Sequence, residues 1–473
     1  MPPVLPTERR KRLGLPTIPA RSLIGNLHAT AQPPYVISAD EVSDLVKHEM
    51  FTGIPKIAVL GDSRAAQMSY DLTNHDTYSA TGLMAWVNVK SKGKYIVPAE
   101  YNFGVSGDTS TQILARTPDA AASNAEVVVY IGGTNDRNSS ELQSAATTIA
   151  NITESINLLV AAGKKVILCT DMPRGNATYT AGLLTSQQLR YHQQIRRWTL
   201  DTARLIPGVL VADLYPLLAD NTRTDGAMLV TYTYDGTHLN PVGAERAANP
   251  VVAILDALYP APFYIPDYDN GSVWHATDNV RGNMISNGAM TGTAGTPGAS
   301  SSGNLADSWT GTRNAAMNSG TVTSVFAKVA RTDVVGSWQQ VTIGGTAGAT
   351  ADPNLEIYIA APNGNFSEGD VIQAIGEFEI DSGATGLKGV TLRTTQTVGG
   401  VAKTSSALLF KDAANPFPSG FTGTNKLLMV TRPEVIPAGS VTSVRVRIEI
   451  DLVEGVATTA VIRWGNIRLQ KVI

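Results

Sequence analysis

At 473 residues, with 43% hydrophobic and 16% charged residues, the chain has the composition of a globular protein built around more than one core. A formal net charge of −3 offers no general attraction to nucleic-acid phosphates or to an anionic membrane. No stretch reaches the roughly 18 apolar residues of a membrane-spanning helix, and the single cysteine, Cys169, excludes an internal disulfide.

Residues 1–50 mix prolines with basic residues, contain Glu8-Arg-Arg-Lys-Arg12 without the apolar core of a secretory signal, and read as an N-terminal arm with one short amphipathic stretch, Asp40 to Met50. From residue 51 to 260 short apolar runs alternate with helical segments, the pattern of a parallel sheet covered by helices on both faces. The expected strands are Lys56 to Gly61, Glu100 to Val105, Glu126 to Gly132, Lys165 to Thr170 and Val209 to Leu214. Cys169 falls in the fourth of these as a buried small hydrophobe. Helices are expected over Ser139 to Ala162, over Ser186 to Leu205, and from Asn240-Pro241 to Leu258, where Asn as cap and Pro at the first helical position form a start signal.

Residues 261–300 are rich in Pro, Gly, Ser and Thr and read as a linker. Over 301–473 the helical period disappears and strand-like runs recur between Gly-rich turns: Ser324 to Ala330, Trp338 to Ile343, Leu355 to Ala360, Val371 to Ile380, Gly389 to Thr394, Leu427 to Thr431, Val441 to Ile450 and Ala460 to Leu469. This is the signature of a β-sandwich.

The first strand ends in Gly61-Asp62-Ser63-Arg64, which puts Ser63 at the carboxyl edge of the sheet, where open α/β folds place their ligands. Asn102-Phe-Gly-Val-Ser-Gly-Asp-Thr-Ser110 follows the second strand, Gly132-Gly-Thr-Asn-Asp136 follows the third, and Asp235-Gly-Thr-His238 precedes the last helix. A neutral serine hydroxyl is a poor nucleophile and needs a base within hydrogen-bond reach and a third group to orient that base. In this order and context the four segments resemble the sequence blocks of the SGNH, or GDSL-like, hydrolase family over about residues 56–258. The resemblance implies a three-layer α/β/α, flavodoxin-like fold and a serine esterase. Ser63 is then the nucleophile, His238 the base and Asp235 the orienting carboxylate. The backbone N–H groups of Ser63 and Gly107 and the side-chain amide of Asn135 would receive the oxyanion.

Arg64 departs from the apolar residue that commonly follows the family's serine; it is read as a solvated side chain, with contact to an anionic substrate as the alternative. Asp62 is expected to stabilise its loop. No cofactor is implied, and the scattered histidines offer no metal cluster.

The C-terminal region resembles jelly-roll carbohydrate-binding modules and phage tail proteins through Asn287-Gly-Ala-Met290, Ser308-Trp309, Ser337-Trp-Gln-Gln-Val341 and the closing Arg463 to Lys471. Trp309, Trp338 and Trp464 are expected in the core of the sandwich, with sugar stacking as the alternative. Together these resemblances imply a bacteriophage tail spike or fibre at the virion surface. It would be a homotrimer that removes O-acyl, chiefly O-acetyl, groups from host capsule or lipopolysaccharide. Two other readings stand beside it: a bacterial polysaccharide acetylesterase or lipase-type esterase, and a glycan-binding adhesin or structural virion protein without catalysis. Residues 1–260 are expected to suffice for cleavage of a small ester.

Overall fold

The first sheet follows from five short apolar runs that are buried on both faces. Strands β1 (Ile57–Gly61), β4 (Asn102–Gly104), β5 (Val127–Ile131), β6 (Lys165–Cys169) and β7 (Val209–Ala212) form an all-parallel sheet in the order β4-β1-β5-β6-β7. Alternate residues point to opposite sides. Ile57, Val59, Val127, Val129, Ile167 and Cys169 join one core, while Ala58, Leu60, Val128, Tyr130, Val166 and Leu168 join another. Both faces are therefore covered, which is why these strands read as unbroken apolar runs.

The described structure is a computed structural model covering residues 54–260 except 73, 74 and 139, and residues 273–472 except 281, 350, 351, 411–416 and 419–422. It also includes two short strands, Leu23–Gly25 and Tyr35–Ile37, which pair antiparallel. The amphipathic stretch expected at Asp40 to Met50 lies outside the described residues.

Helices α3 (Ser110–Ala122), α4 (Ala145–Ala161) and α5 (Ser186–Asp201) bring Ile113, Ile152, Ile156, Leu159 and Ile195 to one face of the parallel sheet. Helices α2 (Leu83–Lys90) and α6 (Pro241–Leu258) cover the other. Helix α4 begins later than its apolar pattern suggests because Ser144 caps it, accepting a hydrogen bond from Thr147 N at 3.1 Å. Helix α6 starts as expected, with the Asn240 side chain accepting from Gly243 N. Helix α2 was not legible as a helix: every residue from Leu83 to Val89 is buried, so it has no polar stripe to give it a period. None of the described helices is long and apolar enough to cross a membrane.

The C-terminal region is built from strands β8 (Ser301–Gly303), β9 (Thr310–Arg313), β10 (Thr323–Ala330), β11 (Ser337–Thr346), β12 (Asn354–Ala361), β13 (Val371–Ile380), β14 (Leu387–Val398), β15 (Val401–Leu409), β16 (Gly423–Val430), β17 (Val441–Leu452) and β18 (Ala457–Lys471). One sheet runs β8-β10-β11-β18-β13-β16, with Glu434–Val435 also paired to β13. The opposing sheet begins β9-β12-β17-β14-β15, and its strands alternate buried and half-exposed residues as a sandwich requires. The two sheets meet closely at Gly376 of β13, where a Cβ would lie 2.3 Å from Ile467 Cδ1 and 3.5 Å from Leu392 Cδ2. A three-layer α/β domain followed by a β-rich region consistent with a jelly-roll sandwich is thus the architecture. Trp309 and Trp464, at 1% and 0% exposure, lie in the sandwich core, whereas Trp338, at 6%, stands outside that core and is covered by the Arg331 guanidinium 4.0 Å from its ring centre, so all three are buried.

The second sandwich sheet does not end at β15. Strands β2 (Ser69–Leu72) and β3 (His75–Ser79), inserted directly after the first helical turn of the α/β domain, complete it in the order β15-β3-β2. Strand β3 pairs parallel with β15, Thr404 opposite His75 and Ser406 opposite Thr77. Behind this junction Trp86 of α2 packs edge-on against Phe410 and Phe417, with centroids 6.1 and 6.0 Å apart. The α/β region and the sandwich consequently share this one sheet, and the core on the α2 and α6 face of the parallel sheet runs on into the sandwich, so that residues 55–473 form one compact unit.

Candidate active site

The four sequence segments converge at the carboxyl edge of the parallel sheet. Strand β1 ends at Gly61, and a single helical turn, α1 (Ser63–Ala66), starts immediately after it. Asp62 caps that turn, its Oδ1 accepting from Arg64 N at 3.0 Å. Its carboxyl is fully buried, and burial pushes its pKa up to about 6 in spite of the Arg64 charge beside it. Gly104 permits the close approach of this turn to β4, since a Cβ there would stand 2.2 Å from Ala66 N.

Ser63 is 8% exposed, and its Oγ lies 2.9 Å from His238 Nε2. On the far side of the imidazole, His238 Nδ1 is 2.6 Å from Asp235 Oδ2. The other Asp235 oxygen accepts from the backbone N–H groups of Thr237 and His238 at 2.8 and 2.7 Å. Partial burial alone would raise this carboxyl, but the histidine ring and the two N–H donors outweigh it and hold the pKa down to about 2. The carboxylate is thus ionised through the neutral range and the ring is held with Nε2 facing the serine.

The remaining two segments meet beside Ser63. Gly107 has φ +87°, the left-handed region that glycine adopts without strain, and is exposed. Among the described residues, no protein acceptor takes the backbone N–H of Ser63 or of Gly107. Asn135 is 7% exposed and gives one amide hydrogen to Asp108 O at 2.9 Å, which leaves the second uncommitted. Its loop is pinned from below: Asp136 accepts from Ser110 N at 2.7 Å, Ser110 Oγ at 2.6 Å and Thr148 Oγ1 at 2.6 Å. Arg116 adds a second tie, reaching Asp108 Oδ2 at 2.9 Å and Phe103 O at 2.6 Å. All five residues expected at the site therefore lie in one neighbourhood of bonded segments.

Arg64 differs from expectation. It is neither solvated nor open to a substrate anion: its side chain is 2% exposed and paired with Asp171 at 2.8 Å. It also donates from Nε to Thr237 O at 3.0 Å and from a terminal nitrogen to Pro173 O at 3.3 Å. Asp171 lies two residues beyond the end of β6, at the same carboxyl edge of the sheet as Asp62 beyond β1, and that was the available signal for it. Its carboxyl, also buried, is held below the usual range by His192, Arg64 and Arg137. His192 Nδ1 stands 3.3 Å from Asp171 Oδ2.

Sequence reasoning also missed Tyr234, which precedes Asp235 and stacks on the His238 ring at 15° with centroids 5.8 Å apart. Its hydroxyl accepts from Gln67 Nε2 at 2.6 Å, and the residue is 37% exposed. The segment after β6 closes round the same turn, with Gly175 N donating to Gly236 O at 2.7 Å.

Residues 59–246 match the GDSL-like Lipase/Acylhydrolase family. No curated protein matches the chain. Among solved structures, a lipase/acylhydrolase from Enterococcus faecalis is 19% identical, with 45% of this chain and 100% of that chain covered and a TM-score of 0.35. A carbohydrate acetylesterase from Sinorhizobium meliloti is 16% identical over 43% of this chain and 100% of its own, with a TM-score of 0.32. A GDSL-like lipase from Bacteroides thetaiotaomicron is 19% identical, covering 43% and 87%, with a TM-score of 0.31.

Proposed function

We propose, from the premise that residues 59–246 form a GDSL-like α/β domain, that the protein is a serine ester hydrolase with Ser63 as nucleophile, His238 as general base and Asp235 as its orienting carboxylate. The observation that carries this reading is the unbroken relay from Asp235 Oδ2 through the imidazole to Ser63 Oγ, at 2.6 and 2.9 Å. His238 Nε2 takes the hydroxyl proton as Ser63 Oγ bonds to the ester carbonyl carbon. The negative charge that develops on the carbonyl oxygen meets the Ser63 and Gly107 N–H groups and the uncommitted Asn135 hydrogen. Collapse of the tetrahedral adduct breaks the ester C–O bond, and His238 returns the proton to the departing alkoxide. Water, deprotonated by the same base, then cleaves the acyl-serine to free acid and restores the hydroxyl.

The finer part of the proposal is that the substrate is an O-acylated, chiefly O-acetylated, polysaccharide of a bacterial surface, and that the chain is a trimeric phage tail spike or fibre. Supporting it are the β-rich C-terminal region joined to the α/β domain and the half-exposed Tyr234 ring beside the base that protonates the leaving alcohol. An aromatic face of this kind suits a sugar ring. The test is acetate release from acetylated bacterial polysaccharides by the wild type and by Ser63→Ala. Release by the wild type alone supports the reading; equal release by both assigns the chemistry elsewhere, and hydrolysis of p-nitrophenyl acetate without polymer release removes the polysaccharide.

A further inference from the structure

The Ser63–His238 hydrogen bond joins residues 175 positions apart in the chain, so its length depends on how the turn carrying Asp235 and His238 is seated against α1. Two side chains, one from the serine's own helical turn and one from the residue that caps its carboxyl end, reach across to that seat. Arg64 Nε donates to the carbonyl of Thr237, the residue before His238, and Gln67 Nε2 donates to the hydroxyl of Tyr234, the residue before Asp235. One tie is partly buried and backed by the ion pair to Asp171; the other is at the surface and works through a ring stacked on His238 itself. One tie holds the residue just before Asp235 and the other the residue just before His238.

We propose that Arg64 and Gln67 are positioning residues that form a two-point clamp setting the distance and ring plane of His238 relative to Ser63, with Tyr234 as the arm through which Gln67 acts. The inference rests on the reading of Ser63 as nucleophile and His238 as base. Its physical content is that catalytic proximity is steep, with a misplacement of about 1 Å costing about 100-fold in rate. A single planar guanidinium can bond Thr237, Asp171 and Pro173 at once, whereas an ammonium cannot reproduce that fork. Position 64 therefore carries a demand that ordinary surface exposure would not place on it.

The test uses the full chain and p-nitrophenyl acetate, with active-site titration by a fluorophosphonate to count competent sites. Gln67→Ala and Tyr234→Phe remove the same surface bond, so each lowers kcat per titrated site about 3-fold to 10-fold with KM unchanged, and the double variant is no worse than either single one. Arg64→Met lowers kcat per titrated site about 100-fold, and Arg64→Lys recovers part of that loss. Additive effects of Gln67→Ala and Tyr234→Phe, or kcat within 2-fold of wild type in the Gln67→Ala and Arg64→Lys proteins, overturn the clamp. Should Arg64→Met fail to fold, the surface pair still decides the matter. Ser63→Ala separates the two levels: if it retains turnover the nucleophile reading has failed, and if it is inactive while the clamp variants keep full kcat, only the clamp has failed.

Discussion

Removing residues 261–473 should unfold the α/β domain rather than liberate it. The perturbation takes away β15, the partner of β3, and leaves β2 and β3 as a two-stranded ribbon, which is marginal in water. It also strips Phe410 and Phe417 from Trp86, a side chain with no exposed surface. A buried aromatic hides about 150–250 Å². At about 25 cal/mol per Å², re-exposing about half of it costs about 2–3 kcal/mol. Each edge-on aromatic pair lost adds about 0.5–1.5 kcal/mol. The loss through this one side chain is then about 3–6 kcal/mol, comparable to the lower end of the about 5–15 kcal/mol by which a domain is stable. Because β2 follows α1 directly, the unpaired ribbon also pulls on the turn that carries Ser63. The assay is to express residues 55–260 and 55–473, and to compare near-ultraviolet circular dichroism, urea unfolding and p-nitrophenyl acetate turnover. A cooperative transition and turnover within about 2-fold of the longer protein in residues 55–260 would refute the argument from the shared core.

Other consequences can be checked independently. Asp235→Asn should lower kcat about 10⁴-fold with little change in KM, since the amide can hold the wrong imidazole tautomer, and steady-state kinetics at pH 7 measures it. Asp62 has a folded pKa raised to about 6 by burial, so the stability it contributes is complete below its unfolded value near 3.8 and is lost as pH rises through about 6. The unfolding free energy of Asp62→Asn relative to wild type should accordingly shift by up to about 3 kcal/mol in the variant's favour between pH 4 and pH 7; a pH-independent difference would show that the carboxyl titrates normally. Asp235, with its pKa held near 2, does the reverse: its contribution is present above about 4 and disappears as pH falls through about 2, so it adds no acid limb to the activity profile above pH 4. Turnover should survive exhaustive chelation, because the proposed chemistry runs entirely through side chains and backbone amides; recovery of lost activity by added zinc would assign it to a metal. Cys169 is buried and burial raises its thiol pKa, so Ellman's reagent should react with it only on unfolding.

The parallel sheet was legible because strands buried on both faces must be apolar throughout, and the site was legible because open α/β sheets place reacting groups at strand ends. Ser63, Asp235 and His238 were singled out by the resemblance of their segments to the blocks of a known hydrolase family. Gly107 and Asn135 followed from the same blocks, although their uncommitted N–H groups could be counted only once every neighbouring acceptor had been placed. Arg64 could not be read this way: a charge after Ser63 looks solvated until Asp171, 107 residues later, arrives beside it. Tyr234 was likewise hidden, since its role lies in a ring stack and in a bond to Gln67, 167 residues away in the chain.

By itself the sequence determined the five strands of the parallel sheet, three of its covering helices and the strand-rich character of the C-terminal region, because periodicity, capping and turn chemistry are local properties. Only the tertiary structure decided that residues 69–79 leave the α/β layers to extend the sandwich sheet, that Trp309 and Trp464 are core while Trp338 lies under Arg331, and that Arg64 faces inward. Each of these is a pairing between distant segments, settled by which apolar faces and unpaired backbone groups find one another on collapse, and no window of neighbouring residues contains that information.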